Sequence, residues 1–252
     1  MFLKSYRPFS FVGKTHKMCY DKYMQKKKRK SNHSIKKYHR KSRRNRTKKL
    51  VIIGVILLIV ILGIGIMQRR YGRERQEHLD VDASQPDIDV QLLDINEYSR
   101  PGIESDPITG IVIHYTANPG STAQQNRDYF NGLKDSHETS VSSHFVVGLE
   151  GEIVQCVPTW EIAYASNERN HDTVSIECCH PDETGKFNDE TYKSVVQLTA
   201  FLCEKYGLTQ ENVIRHYDVT GKICPKYFVE HEDAWQTFKE DVGAALQKEK
   251  QK

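Results

Sequence analysis

No two cysteines of the 252-residue chain stand in a Cys-x-x-Cys spacing, and the six cysteines follow no regular pattern. This absence argues against a ribbon-type zinc site and gives no sign of a disulfide framework. Because the cysteines of exported domains usually pair, the unpaired set predicts either buried thiols or a reducing environment.

Acidic residues are nearly absent from the first 49 positions, where Asp21 is the sole acid among dense lysines and arginines. Such a segment repels itself and has no apolar periodicity, so residues 1–49 are predicted to form a disordered basic tail. The formal net charge of the whole chain is only +4, which makes the remainder net acidic. This balance argues against nucleic acid as a partner of the folded part.

Charged side chains are missing altogether from residues 50–67, LVIIGVILLIVILGIGIM. At about 1.5 Å per residue this segment spans the hydrocarbon core of a bilayer as a helix. A cleavable signal peptide would need a shorter apolar run and a small-residue cleavage site, and neither is evident. The sequence predicts a single-pass signal anchor in the cell membrane. The excess of lysine and arginine before it predicts a cytoplasmic N-terminus and an extracytoplasmic remainder.

The remainder divides by composition into a linker and a domain. Residues 68–100 are polar and acidic with weak periodicity, which is typical of a linker, and residues 101–252 carry the periodic segments. Short β-rich runs predict buried strands and a hairpin, and residues 188–207 predict an amphipathic helix. Because strands and helices alternate, we expect an α/β fold with a central mixed β-sheet flanked by helices.

Two histidines stand at comparable places, His114 at the end of the run GIVIH and His216 at the end of the run NVIRH. Strand ends in open α/β sheets are where ligands collect, and Cys224 lies on the segment after His216. Two imidazoles and a thiolate with an open fourth position describe a catalytic zinc site. The residues alone leave another interpretation open: His114 is a core histidine, His216 is a surface residue and Cys224 is a small buried hydrophobic residue.

Glu177 lies within the apolar run TVSIECC, which reads as a strand. A carboxylate is unfavourable in such a strand unless it has a partner or a role in chemistry. A salt bridge at a strand edge is the alternative.

Five stretches, in this order, resemble the zinc-dependent N-acetylmuramoyl-L-alanine amidases: IVIHYTA, SSHFVVGLEGEIVQCVP, EIAYAS, SIECCHPD and RHYDVTGKICP. That family is related to the phage lysozyme-type amidases and the peptidoglycan recognition proteins. The resemblance covers roughly residues 105–245. It implies a peptidoglycan hydrolase that cleaves the amide between N-acetylmuramic acid and L-alanine. With the anchor predicted from residues 50–67, we expect a membrane-anchored enzyme, and we expect it to be a monomer.

The resemblance also implies roles for individual residues. His114, His216 and Cys224 would bind one Zn²⁺. Glu177 matches a glutamate thought to act on the zinc-bound water, and Lys222 matches a lysine that can stabilise an oxyanion.

The chain departs from the family pattern in the hairpin. Phage-type and animal relatives carry a catalytic tyrosine there, whereas this chain has Ser143 followed by His144. The tyrosine's role therefore does not transfer, and His144 could either line the cleft or make a structural hydrogen bond. A non-catalytic receptor for muropeptides is the alternative function.

Overall fold

The computed structural model describes residues 24–29, 31–32, 37, 49–68, 70 and 79–251. The basic tail predicted for residues 1–49 and the start of the predicted linker lie mostly outside these residues. The chain divides into two compact units, one ending at Gly72 and the other beginning at Arg73.

The first unit contains helix α1 (Lys49–Gln68), which is long and apolar enough to cross a membrane. None of its most apolar segment is buried against other parts of the protein. Its bounds agree within one residue with those predicted for the apolar segment.

The second unit is built on a six-stranded sheet with the order β1-β4-β3-β5-β2-β6. Only β3 and β4 pair in antiparallel orientation, as the predicted hairpin requires, and all other neighbours are parallel. The prediction of a mixed α/β sheet is therefore confirmed. The strands are β1 (Asp89–Val90), β2 (Gly110–Tyr115), β3 (Phe145–Val147), β4 (Ile153–Gln155), β5 (Thr173–Cys178) and β6 (Val213–Arg215).

Five helices surround the sheet, and one of the two helices of 18 residues, α3 (Asp189–Tyr206), begins and ends with capping signals that the sequence carries. The Asn188 side chain accepts a hydrogen bond from the Thr191 amide at the start of α3, and Gly207 ends that helix at φ 67°. The helices are α2 (Ala123–Ser136), α3 (Asp189–Tyr206), α4 (His216–Thr220), α5 (Lys226–Glu230) and α6 (Glu232–Glu249).

Alternation along the strands gives the sheet two unlike faces. Ile111 and Ile113 of β2 point to one face, where α3 and α6 cover them; we call this the apolar face. His114 points to the opposite face, which we call the site face. On the site face Val146 and Val154 pack beneath Phe130 of α2.

The predicted linker ends earlier than expected. The described residues from 79 onward pack onto the domain: Val81 and Ala83 join the core of the apolar face, and Leu93 is buried on the site face. Strand β1 also extends the sheet beside β4. Part of the segment predicted as linker thus packs onto the domain, and a two-residue pairing in a polar segment leaves no periodic signal of this.

All five cysteines among the described residues are free and buried. The sequence predicted either buried thiols or a reducing environment, and these cysteines are buried thiols.

Candidate metal centre

Three side chains converge at the end of the sheet where β2 and β6 finish. The Sγ atom of Cys224 lies 3.8 Å from Nδ1 of His114, and the ligand atoms of His114, His216 and Cys224 all lie within 4.8 Å of one another. The three residues are 1%, 6% and 2% exposed. Among the described residues this is the one group of three that could hold a metal ion, and no fourth side chain belongs to it.

Tight local hydrogen bonds fold the chain between His216 and Cys224 back on itself. His216 begins the short helix α4, where we expected a strand end followed by a loop. Gly221 ends the helix at φ 76°, a left-handed conformation that favours glycine. The Tyr217 amide then donates to the Cys224 carbonyl at 2.9 Å, which brings the cysteine back beside the start of the helix.

A buried arginine holds the start of α4 on the other side. The Asp218 carboxylate accepts from the Arg215 amide at 2.8 Å and pairs with its guanidinium at 2.8 Å. The guanidinium also pairs with Glu232 of α6 at 2.7 Å. Because Arg215 lies on the apolar face, these ion pairs hold helix α4, which carries His216, to the helices that cover that face.

The electrostatics favour the ligand form of both imidazoles. Burial, followed by the positive charges of His216 and Lys222, holds the pKa of His114 well below 6.5. Burial and the charge of Lys222 also lower the pKa of His216. Both rings are therefore neutral near pH 7, as metal binding requires.

The thiol of Cys224 is in a different state. Burial, with the negative charge of Glu177 behind it, raises the pKa of Cys224 to about 12. A cation at this site would therefore displace the thiol proton, because the thiolate is the form that binds metal.

Glu177 lies directly beside His114, since the two residues are paired in register between the parallel strands β5 and β2. Strand β5 is interior to the sheet, between β3 and β2. The Oε2 atom of Glu177 is buried without a hydrogen-bond partner, and burial raises the pKa of Glu177 to about 8, against the opposing charge of Lys222. The alternative of a salt bridge at a strand edge does not fit this position.

Lys222 lies at the rim of the group. Its side chain is exposed, and its positive charge lowers the pKa values of His114, His216 and Glu177. The lysine therefore acts electrostatically on the place where the three candidate ligands meet.

His144 is a structural residue. Its Nδ1 accepts from the Ser175 amide at 3.0 Å, and its Nε2 donates to the Glu161 carbonyl at 2.9 Å. With both nitrogens bonded, and with burial lowering its pKa to about 4, the ring is held neutral away from the group. The neighbouring Ser143 donates to the Ser175 carbonyl.

The sequence did not point to two residues that contact the candidate ligands. The Ser166 hydroxyl lies 3.2 Å from Nε2 of His114, and Oδ1 of Asn167 lies 3.1 Å from Nε2 of His216. Ser166 closes the stretch EIAYAS, which carried part of the resemblance without a role. No local pattern marks either residue, because both contacts reach across the fold.

The chemistry of the three donor atoms can be compared with the ligands that zinc prefers. Two neutral imidazoles and one cysteine sulfur are the soft and borderline ligands that zinc prefers, and three protein ligands leave the open position of a catalytic site. An interior carboxylate with an unpartnered oxygen stands next to them. The residues present therefore fit zinc.

Fold and site together define the class: an α/β domain with a His-His-Cys group beside a buried carboxylate. Comparison with known proteins then gives the family. Residues 104–227 match the family model described as N-acetylmuramoyl-L-alanine amidase. This part of the chain is a domain of that family.

Individual relatives agree with the family match. The N-acetylmuramoyl-L-alanine amidase CwlL of Bacillus licheniformis is 36% identical over 165 residues, 60% of this chain and 45% of that protein. This chain thus spans about half the length of the curated relatives that it matches.

Solved structures share the fold. The catalytic domain of XlyA superposes with a TM-score of 0.54 at 24% identity, covering 63% of this chain and 100% of that domain. The PlyG catalytic domain gives a TM-score of 0.53 at 26% identity, with 64% and 96% covered.

Proposed function

We propose that the chain is a membrane-anchored peptidoglycan hydrolase that cleaves the amide between the lactyl group of N-acetylmuramic acid and L-alanine. The observation that carries this proposal is the meeting of His114, His216 and Cys224 beside Glu177, within a domain of the amidase family.

His114, His216 and Cys224 would hold a zinc ion. When bound, zinc lowers the pKa of a water molecule towards about 7 and polarises the scissile carbonyl group. The buried positions of the three residues keep their donor atoms in place before the cation arrives, so little reorganisation is needed on binding.

Glu177 moves the proton. It accepts a proton from the attacking water as the water oxygen bonds to the carbonyl carbon. It then donates that proton to the alanine nitrogen as the carbon–nitrogen bond breaks. Burial raises the pKa of Glu177 above that of an ordinary glutamate, so its carboxylate is a stronger base, and the acid that forms can return the proton to the leaving nitrogen.

Lys222 stabilises negative charge on the substrate. Its charge acts on His114, His216 and Glu177, so its ammonium would stabilise the carbonyl oxygen as that atom gains negative charge in the tetrahedral intermediate. One well-placed donor of this kind is worth on the order of 3 kcal/mol of transition-state stabilisation.

Helix α1 anchors the enzyme in the cell membrane, with the N-terminus in the cytoplasm. Its length and composition support an anchor, and the dense lysines and arginines before it support this orientation. Protease added to intact spheroplasts should then digest the domain and spare the tail. Digestion of the tail alone would overturn the orientation.

The activity is tested by digesting purified peptidoglycan with the full chain in detergent. We expect new alanine amino termini to appear, to be lost with a zinc chelator and to return when zinc is restored. Activity that persists without metal would contradict the proposed chemistry. If the chain sediments with peptidoglycan but releases no alanine termini, the receptor alternative is correct instead.

A further inference from the structure

Both candidate histidine ligands are held on their far side by one short segment. Ser166 and Asn167 are adjacent in the chain, and they contact Nε2 of His114 and Nε2 of His216 respectively. The two histidines come from distant parts of the sequence, on β2 and at the start of α4. A single dipeptide therefore links the two rings.

The geometry gives each ring a defined orientation. Nδ1 of His114 faces the Cys224 sulfur, so the Nε2 that faces Ser166 is the nitrogen turned away from the ligand group. In His216 the nitrogen bonded to Asn167 is likewise Nε2, which leaves Nδ1 for a cation. The Asn167 oxygen is an acceptor, so the Nε2 of His216 carries the proton.

The segment itself is held firmly. The Asn170 side-chain oxygen accepts from the amides of Ala165, at 3.0 Å, and Ser166, at 2.6 Å. Ser166 is only 1% exposed. Asn167 begins a 3-10 turn (Asn167–Arg169) with φ 54°, a left-handed conformation that asparagine tolerates better than most residues.

We propose that Ser166 and Asn167 are positioning residues of the metal centre, which fix the Nε2–H tautomer and the ring orientation of His114 and His216. The inference rests on the proposed zinc binding. Groups that accept a hydrogen bond from a ligand histidine raise its basicity and hold its lone pair on the metal, and their loss typically weakens metal affinity by about 10–100-fold.

The decisive variant is Asn167→Gly, since glycine adopts a positive φ without strain and the change therefore removes the side-chain oxygen while keeping the backbone. In the full chain in detergent, we expect the zinc dissociation constant to rise about 10–100-fold, measured by competition with a chromophoric chelator. Asn167→Asp keeps both an acceptor oxygen and tolerance of this conformation. It should bind zinc as tightly as the parent chain or more tightly.

Two further variants provide a second test and a control. Ser166→Ala should weaken zinc binding through His114 in the same way, while Asn118→Gly, at an exposed asparagine, should leave it unchanged. His114→Ala in the same titration defines binding by residues outside the centre. Circular dichroism of each variant separates lost affinity from lost folding.

The outcomes separate the two proposals. If the parent chain binds zinc no better than His114→Ala, the proposed function fails, and this inference fails with it. If the parent chain binds zinc and Asn167→Gly binds equally well, only the inference is overturned. Equal losses of zinc affinity in Asn167→Gly and Asn167→Asp would also overturn the inference. They would show that the segment needs the asparagine itself and not an acceptor for His216.

Discussion

The two faces of the sheet use the same strands for opposite purposes. On the apolar face, side chains of β2 and β5 pack against α3 and α6 with aromatic residues such as Phe238 and Trp235 at the centre. On the site face, the intervening residues of the same strands include His114 and Glu177. One strand thus contributes both to the core and to the site, because successive side chains point to opposite faces.

The two faces also differ in their buried polar atoms that have no hydrogen-bond partner. Among the described residues, four buried side-chain atoms lack a hydrogen-bond partner. Thr116 follows β2, Glu177 lies beside His114 in β5 and His180 follows β5, while Thr199 lies within α3 on the apolar face. An unpaired buried group destabilises the fold wherever it occurs. At Glu177 the proposed chemistry explains its presence, and at Thr199 nothing in the structure does.

The largest expected difference between the faces comes from two buried cysteines. Cys224→Ala removes a candidate ligand, so we expect amidase activity to fall by at least about 10³-fold, together with loss of zinc. Cys203→Ala, in α3 on the apolar face, makes the same chemical change and should keep both. The measurements are release of alanine termini and metal content. Equal activity in the two variants would remove Cys224 from the centre.

Glu177→Gln should lower the activity by about 10²–10⁴-fold without loss of zinc, because it removes the proton acceptor and keeps the shape. The matched control is Glu190→Gln, at an exposed glutamate in the first turn of α3, which should not change the rate. Unimpaired hydrolysis by Glu177→Gln would show that another group moves the proton.

On the apolar face, Phe238→Ala should reduce the free energy of unfolding by about 3–5 kcal/mol, because it opens a cavity among α3, α5 and α6. Denaturant titration measures this loss. Activity per folded molecule should be unchanged. A fall in activity at a temperature where the variant is fully folded would mean that the two faces are coupled.

The carboxyl group of Glu177 also makes stability depend on pH. Its pKa is about 8 in the folded domain, above the ordinary 4.5, so the folded state holds the proton more tightly than the unfolded chain. Its contribution to stability is therefore fully present below pH 4.5 and is lost as the pH rises through about 8. In the presence of chelator, Glu177→Gln should be more stable than the parent chain by up to a few kcal/mol at pH 9, and nearly equal to it at pH 4.

The smallest effect is expected from Thr199→Val, which replaces the unpaired hydroxyl on the apolar face by a methyl group of similar size. The free energy of unfolding should rise by about 1 kcal/mol, with unchanged activity. Thermal unfolding measures the difference. A clear loss of stability would show that the hydroxyl has a partner after all, and that the contrast with Glu177 is weaker than proposed.

Much of the fold could be predicted from local signals. The hairpin β3–β4 and the helix α3 with its caps at Asn188 and Gly207 follow from patterns within a few residues. Strand β1 could not be predicted, since Asp89–Val90 has no periodicity and its pairing depends on the edge that β4 offers. The start of α4 at His216 was also missed, because a single turn of helix depends on Arg215 and Asp218 more than on propensity.

The sequence by itself determined which chemistry is available: histidines at or beside the ends of two apolar runs, a cysteine after the second, and a carboxylate within a third. Only the tertiary structure decided that they meet. His114 and Cys224 are 110 positions apart, and His216 and Asn167 are 49 apart. Contacts of this range arise from strand order and from the packing of turns against the sheet, and both depend on the whole domain being folded, not on any local pattern.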